Sequence, residues 1–262
     1  MYIHKSQQKI NIIKEQELKH LLADLLLKIH WYYQVTSTNN LAKQYNHQKS
    51  ITQPVLIGSD TQTAGYGKQQ RHFISNTGGV YLSLLTQIPQ LSPQNQGLLT
   101  TGIAWQLHET IRQQFDINTD IKWVNDLLLH SKKVAGILTE QIAPQTVVIG
   151  IGCNLYQHNL EQELESSTNL LTRPLSTKQF CIFVAELIKN ILSFLPNFTQ
   201  GQFLSDYQKH LPMLEQKVTV KLGEKTIMGT AVRLDEHANL ILDCNNHCMT
   251  INSGEVVKIR PN

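Results

Sequence analysis

The sequence predicts an α+β protein in which a larger mixed domain is followed by a small all-β domain. Through about residue 212, short apolar β-branched runs alternate with segments of helical periodicity. From about Lys217 onward, only short strands remain, separated by turn residues such as Gly223, Asn245-Asn246 and Ser253-Gly254. Strands and turns of this kind predict a β-barrel of about 45 residues. The 262 residues suffice for one domain of ordinary size plus a small one. We place a helical N-terminal extension at 1–29, the main domain at 30–212 and the C-terminal domain at 217–262.

Composition narrows the class of function. Hydrophobic residues make up 41% of the chain, which supports a buried core, and the net charge of +3 is too small to indicate nucleic-acid binding. Asp24 interrupts the leucine-rich segment 21–27, so we expect neither a signal peptide nor a membrane span. Four cysteines form no disulfide framework, and Cys244-x-x-x-Cys248 beside His247 lacks the ligands and spacing of a zinc site. These features favour a reducing cytoplasm.

The N-terminal part of the chain predicts a helix and a strand, followed by a polar segment. Leu18, Leu21, Leu22, Leu25 and Leu26 recur at spacings of three and four, which predicts one helix. Residues 29–35 predict a strand. The polar segment 36–40 that follows either caps a helix or presents hydroxyls and an amide to a ligand.

The second strand, residues 55–58, leads into a long polar loop from Ser59 to Phe73. Its Gly65-Tyr66-Gly67-Lys68 run is not a P-loop. Glycines nevertheless let backbone N–H groups approach a phosphate, and Lys68 and Arg71 add positive charge.

The middle of the chain predicts a strand at 80–85, a helix from Ser92-Pro93 to Phe115, and a hairpin within Ile121–Glu140. In the hairpin, two lysines lie near an amide and a carboxylate. They suit an anionic substrate whose charge grows in the transition state, although a solvated surface hairpin would show the same pattern.

The remaining elements are a buried strand at 147–155 and two helices. The Gly150-x-Gly152 pair in the strand indicates close packing or a ring that approaches the backbone. Capping boxes at Ser176–Gln179 and Thr199–Gln202 predict helices to about Leu195 and His210.

Five motifs in this order resemble those of biotin protein ligases of the monofunctional type, which lack an N-terminal DNA-binding module. The resemblance spans roughly residues 30–260, and the five motifs together with the C-terminal domain are specific. They are Ser37-Thr38-Asn39; Gln62 to Lys68 with Arg71 and Phe73; Lys122-Trp123-Val124-Asn125-Asp126-Leu127; Lys133 to Glu140; and Gly150 to Leu155.

The resemblance implies a mixed sheet flanked by helices and an SH3-like C-terminal domain. It implies that biotin and MgATP form biotinyl-5′-adenylate, and that a lysine of a biotin carboxyl carrier protein, the biotin domain of acetyl-CoA or pyruvate carboxylase, then takes the biotin. ATP and Mg²⁺ act as co-substrates and biotin as substrate, with no tightly bound cofactor. No sequence-specific DNA and no membrane are expected as partners, and a homodimer stays open.

The same resemblance implies roles for individual residues. Lys133, Arg71 and Lys68 are the implied catalytic cations, and Lys133 bridges the carboxylate and the α-phosphate. Biotin is bound by Ser37, Thr38, Asn39, Gln62, Gly65, Tyr66, Gly67, Lys68, Lys133 and Gly136. ATP is bound by Arg71, Phe73, Lys122, Asn125, Asp126 and Asn154. No metal ligands are implied.

Three departures and three alternatives accompany these expectations. Lys68 replaces the second arginine of the family loop, Phe73 replaces the usual tryptophan, and Tyr66 replaces the first arginine. Tyrosine cannot supply the charge of that arginine. A lipoate or octanoate ligase shares the implied catalytic fold, but its Arg-Arg-x-x-Gly-Gly-Gly loop is absent. A bifunctional repressor and a non-catalytic binding module are the alternatives from other classes.

Overall fold

A computed structural model describes residues 9–49, 51–245 and 247–260. The helices are α1 Ile12–Leu21, α2 Thr38–Gln48, α3 Gln96–Phe115, α4 Leu160–Glu163, α5 Thr177–Phe194 and α6 Leu204–Lys209, with 3-10 turns at Lys68–Gln70 and Leu195–Gln200. The strands are β1 Lys28–Val35, β2 Val55–Gln62, β3 Val80–Gln87, β4 Asp120–Lys122, β5 Asp126–Leu129, β6 Lys132–Ala143, β7 Thr146–Cys153, β8 Lys217–Leu222, β9 Lys225–Leu234, β10 Leu240–Asp243, β11 Cys248–Ile251 and β12 Glu255–Arg260.

The described residues divide into two compact units. The first comprises Met1–Ile88 and Ile137–Lys189, and the second Pro89–Gly136 and Asn190–Asn262. The chain passes from the second unit to the first within β6.

A mixed sheet organises the first unit. Its strands run in the order β1-β2-β3-β7-β6. β1 and β2 are parallel, whereas β2 with β3 and β3 with β7 are antiparallel. Helix α2 packs on this sheet through Ala42, which is fully buried against Val55, Ile57 and Val148. The start of α2 is thereby fixed near the middle strands.

The second unit contains α3, a short meander and an antiparallel sheet. The meander runs β4-β5-β6 with antiparallel pairing, and the sheet has the order β11-β10-β9-β8-β12. Helix α3 buries Leu99, Ile103, Leu107 and Ile111 at spacings of four along one face. The predicted fold class, a mixed sheet flanked by helices followed by a small all-β domain, is confirmed, and the closure of that domain into an SH3-like barrel stays a prediction.

Three predicted details are wrong, and one strand was missed. The leucine pattern predicts a first helix that includes Leu25 and Leu26, whereas α1 ends at Leu21 and Leu26 is 74% exposed. Helix α3 begins at Gln96 rather than at Ser92-Pro93, because Asn95 Oδ1 accepts a hydrogen bond from Ser92 N at 2.8 Å and folds 92–95 into a turn. The expected capping box at Thr199 opens no helix, because Gly201 ends the preceding 3-10 turn with φ +64° and α6 starts at Leu204. Strand β11 was not predicted.

Helix α5 begins as predicted, with the Ser176–Gln179 capping box. Ser176 Oγ accepts from Gln179 N at 3.3 Å, and Gln179 Oε1 accepts from Ser176 N at 3.1 Å. Together with the following 3-10 turn, this helix is long and apolar enough to cross a membrane by composition alone. Half of that segment is buried, and Phe183 and Leu187 are fully buried, as is typical of a core helix.

Candidate active site

The Ser37-Thr38-Asn39 motif lies at the start of α2, directly after β1. Ser37 is the N-cap, and its hydroxyl accepts a hydrogen bond from Asn40 N at 3.4 Å. Ser37, Thr38 and Asn39 are all at least 95% buried. Buried polar groups of this kind need partners, and capping explains only Ser37.

Gln62 and Ser83 supply partners to the other two. Gln62 Oε1 accepts from Thr38 N at 2.8 Å, so the end of β2 is joined to the start of α2. Ser83, fully buried on β3, lies 2.8 Å from Thr38 Oγ1 and 2.5 Å from Asn39 Oδ1. On the other side, Gln62 Nε2 donates to Ser75 Oγ at 2.9 Å. The structure therefore brings together the predicted biotin-binding residues Thr38, Asn39 and Gln62.

The polar loop after β2 is folded into a hairpin. Gln62 N bonds to Ser75 O at 3.1 Å, Phe73 N to Gly65 O at 2.9 Å, and Gly67 N to Arg71 O at 2.8 Å. A side chain at Gly65 would meet Ser75 Oγ at 2.6 Å and Phe73 O at 2.7 Å, so the two arms approach closely only with glycine there. Lys68 lies at the tip, and Arg71 is exposed on the returning arm.

Tyr66 points from this hairpin to a charged cluster. Its hydroxyl lies 3.0 Å from Lys43 Nζ, 3.0 Å from Glu140 Oε2 and 3.1 Å from Asn40 Oδ1. Lys43 forms an ion pair with Glu140 at 2.7 Å, and Glu140 Oε2 also accepts from Asn39 Nδ2 at 2.8 Å. The departure from arginine at position 66 is thus accompanied by a cation from α2.

Burial and hydrogen bonding shift the protonation of this cluster. Burial alone lowers the pKa of Lys43, but hydrogen bonds to Glu140 and Tyr66 outweigh burial, so the pKa of Lys43 is raised. Burial raises the pKa of Tyr66, against the opposing effect of the Lys43 hydrogen bond. Lys43 is therefore charged and Tyr66 neutral near pH 7.

The Gly150-x-Gly152 pair on β7 is the site of two close approaches, as its spacing predicts. The Asn39 amide occupies the space that a side chain at Gly150 would need. The Phe73 ring lies over Gly152, where an added Cβ would be 2.7 Å from ring carbons. It packs in a T-shaped arrangement with Tyr81, with the two ring centroids 6.3 Å apart. Phe73, for which the resemblance implies adenine stacking, is thus supported from beneath by backbone.

Asn154, a further residue of the first unit for which the resemblance implies ATP binding, lies just after β7. It is 97% buried, and its Oδ1 accepts from Gln157 Nε2 at 2.7 Å. Its backbone carbonyl accepts from Leu170 N at 2.7 Å, so the loop after β7 is held in place.

In the second unit, the β5–β6 hairpin pairs Lys133 with Asp126 at 2.7 Å. Asp126 is the strand neighbour of Gly136, where a side chain would meet Lys133 Nζ at 2.9 Å and Asp126 Oδ1 at 3.3 Å. The two-residue turn His130-Ser131 has φ of 50° and 64°, as in a type I′ hairpin. The sequence predicts a polar link from His130 to Lys133, whereas the structure has a two-residue turn and places Lys133 in β6, beside Asp126.

Lys122 and Asn125 border the same hairpin. Lys122 ends β4 and is the strand neighbour of Asp126, and its ammonium lies 3.8 Å from Glu255 Oε1. Asn125 lies in the turn between β4 and β5. In that turn the Tyr207 hydroxyl donates to Val124 O at 3.1 Å, and Trp123 Nε1 donates to Ala238 O at 3.0 Å.

Three residues of these clusters were not among the predicted site residues. Ser83 is the only polar residue within the apolar run 80–85, which is a signal for a buried polar role. Lys43 lies four residues after Asn39 and therefore on the same face of α2. Glu140 belongs to the fourth motif, but the motif implied no role for it. Among the described residues, no group of three or more His, Cys, Asp or Glu side chains could hold a metal ion.

These features are those of an α+β protein whose polar groups are suited to contacts with a small ligand. Backbone and side-chain hydrogen bonds at the start of α2 suit a polar ring, and the lysine on the β5–β6 hairpin suits an anionic group.

Comparison with known proteins finds similarity to biotin ligases. Residues 31–154 match the Biotin/lipoate A/B protein ligase family. Bifunctional ligase/repressor BirA of Bacillus subtilis is 28% identical over 264 residues, which is 93% of this chain and 78% of that protein. Biotin--[acetyl-CoA-carboxylase] ligase of Mycobacterium tuberculosis is 25% identical over 213 residues, 79% of each chain. The solved structure of biotin protein ligase from Aquifex aeolicus in complex with biotin and ATP is 26% identical, with a TM-score of 0.75 over 90% of this chain and 99% of that one. Over residues 31–154 the chain is therefore similar to the biotin/lipoate A/B protein ligase family, the resemblance that its motifs predict.

Proposed function

We propose that this protein is a biotin protein ligase. It activates biotin with MgATP to biotinyl-5′-adenylate and transfers the biotin to a lysine of a biotin carboxyl carrier protein, the biotin domain of acetyl-CoA or pyruvate carboxylase. The observation that carries the proposal is the hydrogen-bonded cluster of Thr38, Asn39, Gln62 and Ser83, because it supplies buried, directional polar groups for a cyclic urea.

In the first half-reaction, a carboxylate oxygen of biotin attacks the α-phosphorus of ATP, and the bond to the β-phosphate breaks to release pyrophosphate. Two anions must approach each other, so positive charge at the reacting atoms lowers the barrier. We assign that charge to Lys133, with Lys68 and Arg71 from the loop and Lys122 on the nucleotide phosphates. Asp126 holds the Lys133 ammonium at 2.7 Å and fixes its direction.

We assign the remaining residues to the binding of biotin or of the nucleotide. Ser37, Thr38, Asn39 and Gln62 bind the ring, and the Gly65–Gly67 backbone with Lys68 binds near the biotin carboxylate. Gly136 leaves room for the biotin tail, since any side chain there would press on Lys133. Phe73 stacks on adenine, and Asn125, Asp126 and Asn154 contact the nucleotide. Mg²⁺ enters as part of MgATP.

In the second half-reaction, the neutral amine of the carrier lysine attacks the carbonyl carbon of the adenylate. A carbon–nitrogen bond forms, the bond to the phosphate oxygen breaks, and AMP leaves. The amine then loses a proton. We place the reaction in the cytoplasm, which the four free cysteines support. We propose no sequence-specific DNA binding, on the ground of the modest net charge of +3.

Lys133→Met tests the proposal. Loss of a charged donor at the reacting oxygens is expected to slow adenylate formation about 10²–10³-fold, as for a lost oxyanion donor. Biotin-dependent exchange of pyrophosphate into ATP measures this step. Lys132→Met is the matched control, because adjacent strand residues point to opposite faces, and it should keep most of the rate.

The parent protein is assayed with biotin, lipoate and octanoate in parallel, followed by a carrier domain and a carrier whose acceptor lysine is replaced. Activation of lipoate or octanoate in preference to biotin would instead support the other ligase activity of the family. No exchange with any acid would support a non-catalytic binding module. Near-normal exchange by Lys133→Met would remove the assigned role of that lysine.

A further inference from the structure

Three donors converge on the carboxylate of Glu140. Lys43 Nζ lies 2.7 Å from Oε1, while Asn39 Nδ2 and the Tyr66 hydroxyl lie 2.8 Å and 3.0 Å from Oε2. The side chain of Glu140 is 22% exposed. The three donors come from different places, since Asn39 and Lys43 belong to α2 and Tyr66 to the loop hairpin. One carboxylate therefore supports both the start of α2 and the loop.

Glu140 also determines how the Asn39 amide is oriented. An ionised carboxylate can only accept hydrogen bonds, so the group of Asn39 that faces it must be the NH₂. The Asn39 carbonyl then faces Ser83, at 2.5 Å, and the Ser83 hydroxyl must donate to it. Ser83 has no second proton for Thr38. The Thr38 hydroxyl proton is consequently directed to Ser83 or to Gln62 Oε1. Glu140 thereby determines the direction of the Asn39–Ser83 bond and excludes donation from Ser83 to Thr38.

This fixed polarity matters for a cyclic urea, which has two N–H donors and one carbonyl acceptor. Reversal of the Asn39 amide exchanges a donor for an acceptor, and a ligand group that matched one orientation is unpaired in the other. Gly150 adds a steric constraint, because the Asn39 amide lies directly on its backbone.

We propose that Glu140 is a positioning residue for biotin: it holds the Asn39 amide in one orientation and fastens Tyr66 of the loop through the same carboxylate. Lys43 holds this carboxylate in place through the ion pair at 2.7 Å. The inference rests on the proposed function, since biotin is the ligand whose recognition it explains. In this chain, Tyr66 acts as a link to Glu140 rather than as a cation.

Glu140→Gln is the first test. It keeps the size of the side chain, but it removes the charge and lets the Asn39 amide take either orientation. A hydrogen bond to a charged group contributes about 1.5–3 kcal/mol, so we expect the KM for biotin to rise about 10-fold or more, with kcat changed less than about 3-fold. Glu186→Gln, the same change in an ion pair with Lys189 at 3.1 Å, is the matched control and should leave both constants unchanged.

Asn39→Asp combined with Glu140→Gln separates positioning from mere structural support. The swap restores a donor–acceptor pair between positions 39 and 140 and keeps the net charge, so the thermal midpoint should return toward that of the parent. Position 39 now lacks its NH₂ group, so biotin binding measured by calorimetry should stay at least about 10-fold weaker. If the donor and acceptor arrangement at position 39 did not matter for biotin, the swap would restore both quantities.

Tyr66→Phe tests the second contact. It should weaken biotin binding in the parent and have little further effect in Glu140→Gln, because the link is already broken there. The inference is overturned if folded Glu140→Gln keeps the parental KM for biotin, or if the swapped variant recovers full biotin affinity. Should Glu140→Gln fail to fold, the swapped variant and Tyr66→Phe decide the question. A parent protein that forms no adenylate refutes the proposed function instead, and calorimetry with biotin alone still tests Glu140.

Discussion

Replacing His108 with asparagine is expected to remove an acid-sensitive component of the stability of the second unit. His108 is fully buried on α3, where its Nδ1 lies 2.8 Å from the buried hydroxyl of Thr119. The ring of His210 lies 4.2 Å away, centroid to centroid, and Trp105 stacks on His108 at 5.0 Å. Burial, reinforced by the proximity of His210, lowers the pKa of His108 from 6.5 to about 4, although Glu109 nearby opposes the shift.

The sign and the size of the effect follow from proton linkage. Between pH 6.5 and about 4, the unfolded chain binds a proton at His108 that the folded chain does not, so stability is present above pH 6.5 and is lost as the pH falls. Each pH unit in this window is worth about 1.4 kcal/mol. The parent should therefore lose about 2 kcal/mol from this residue between pH 7 and pH 5.

Urea unfolding at pH 7 and pH 5, followed by tryptophan fluorescence, measures this difference. His108→Asn keeps a polar atom near Thr119 and removes the titration, so its loss between the two pH values should be about 2 kcal/mol smaller than that of the parent. The variant is expected to be less stable than the parent at pH 7 by about 1–3 kcal/mol, because the buried ring is lost. His47→Asn, at an exposed histidine, is the control. An equal pH dependence in parent and His108→Asn would refute the reasoning.

Two further predictions concern the first unit. Gly150→Ala should displace the Asn39 amide, weaken biotin binding and destabilise the fold by about 1–3 kcal/mol, as overpacking does. Gly67→Ala is the control and should leave thermal stability unchanged, because an added Cβ there meets nothing closer than 3.9 Å. Equal thermal midpoints for the two variants would contradict the close approach of the Asn39 amide to Gly150. Amide hydrogen exchange across residues 62–75 should slow when biotin and ATP are added, because the loop closes over the adenylate, a mixed anhydride, and excludes water from it. For the same reason, Lys68→Ala should release more free adenylate than the parent. Equal exchange with and without ligands would show that the loop does not close.

Local sequence features predict most elements that depend on near neighbours in the chain. The Ser176–Gln179 capping box marks the start of α5 because its hydrogen bonds join residues three apart. Two apolar runs joined by a short polar link likewise predict the β5–β6 hairpin. The Ser92-Pro93 pair misleads because the same residue types also form turns, and only the contact between Ser92 and Asn95 decides between the two.

The candidate site was only partly predictable from the sequence, because it depends on contacts between segments that are far apart in the chain. The motifs indicate which segments bind ligands, and Thr38, Asn39 and Gln62 do lie together. The sequence does not show which side chains support them, because those contacts join distant segments. Ser83 on β3 meets Asn39 because β3 passes beside the start of α2, a relation that depends on strand order.

The substitution of arginine by Tyr66 shows why a change within a motif cannot be evaluated alone. Taken by itself, tyrosine removes a charge and a bidentate donor. In the structure, its hydroxyl lies between Lys43, which precedes it by 23 residues, and Glu140, which follows it by 74. An arginine in this place would put a second cation beside Lys43, with one carboxylate between them. The side chain at position 66 is therefore matched to the pair already present, and Tyr66→Arg alone is expected to disturb the cluster rather than improve it.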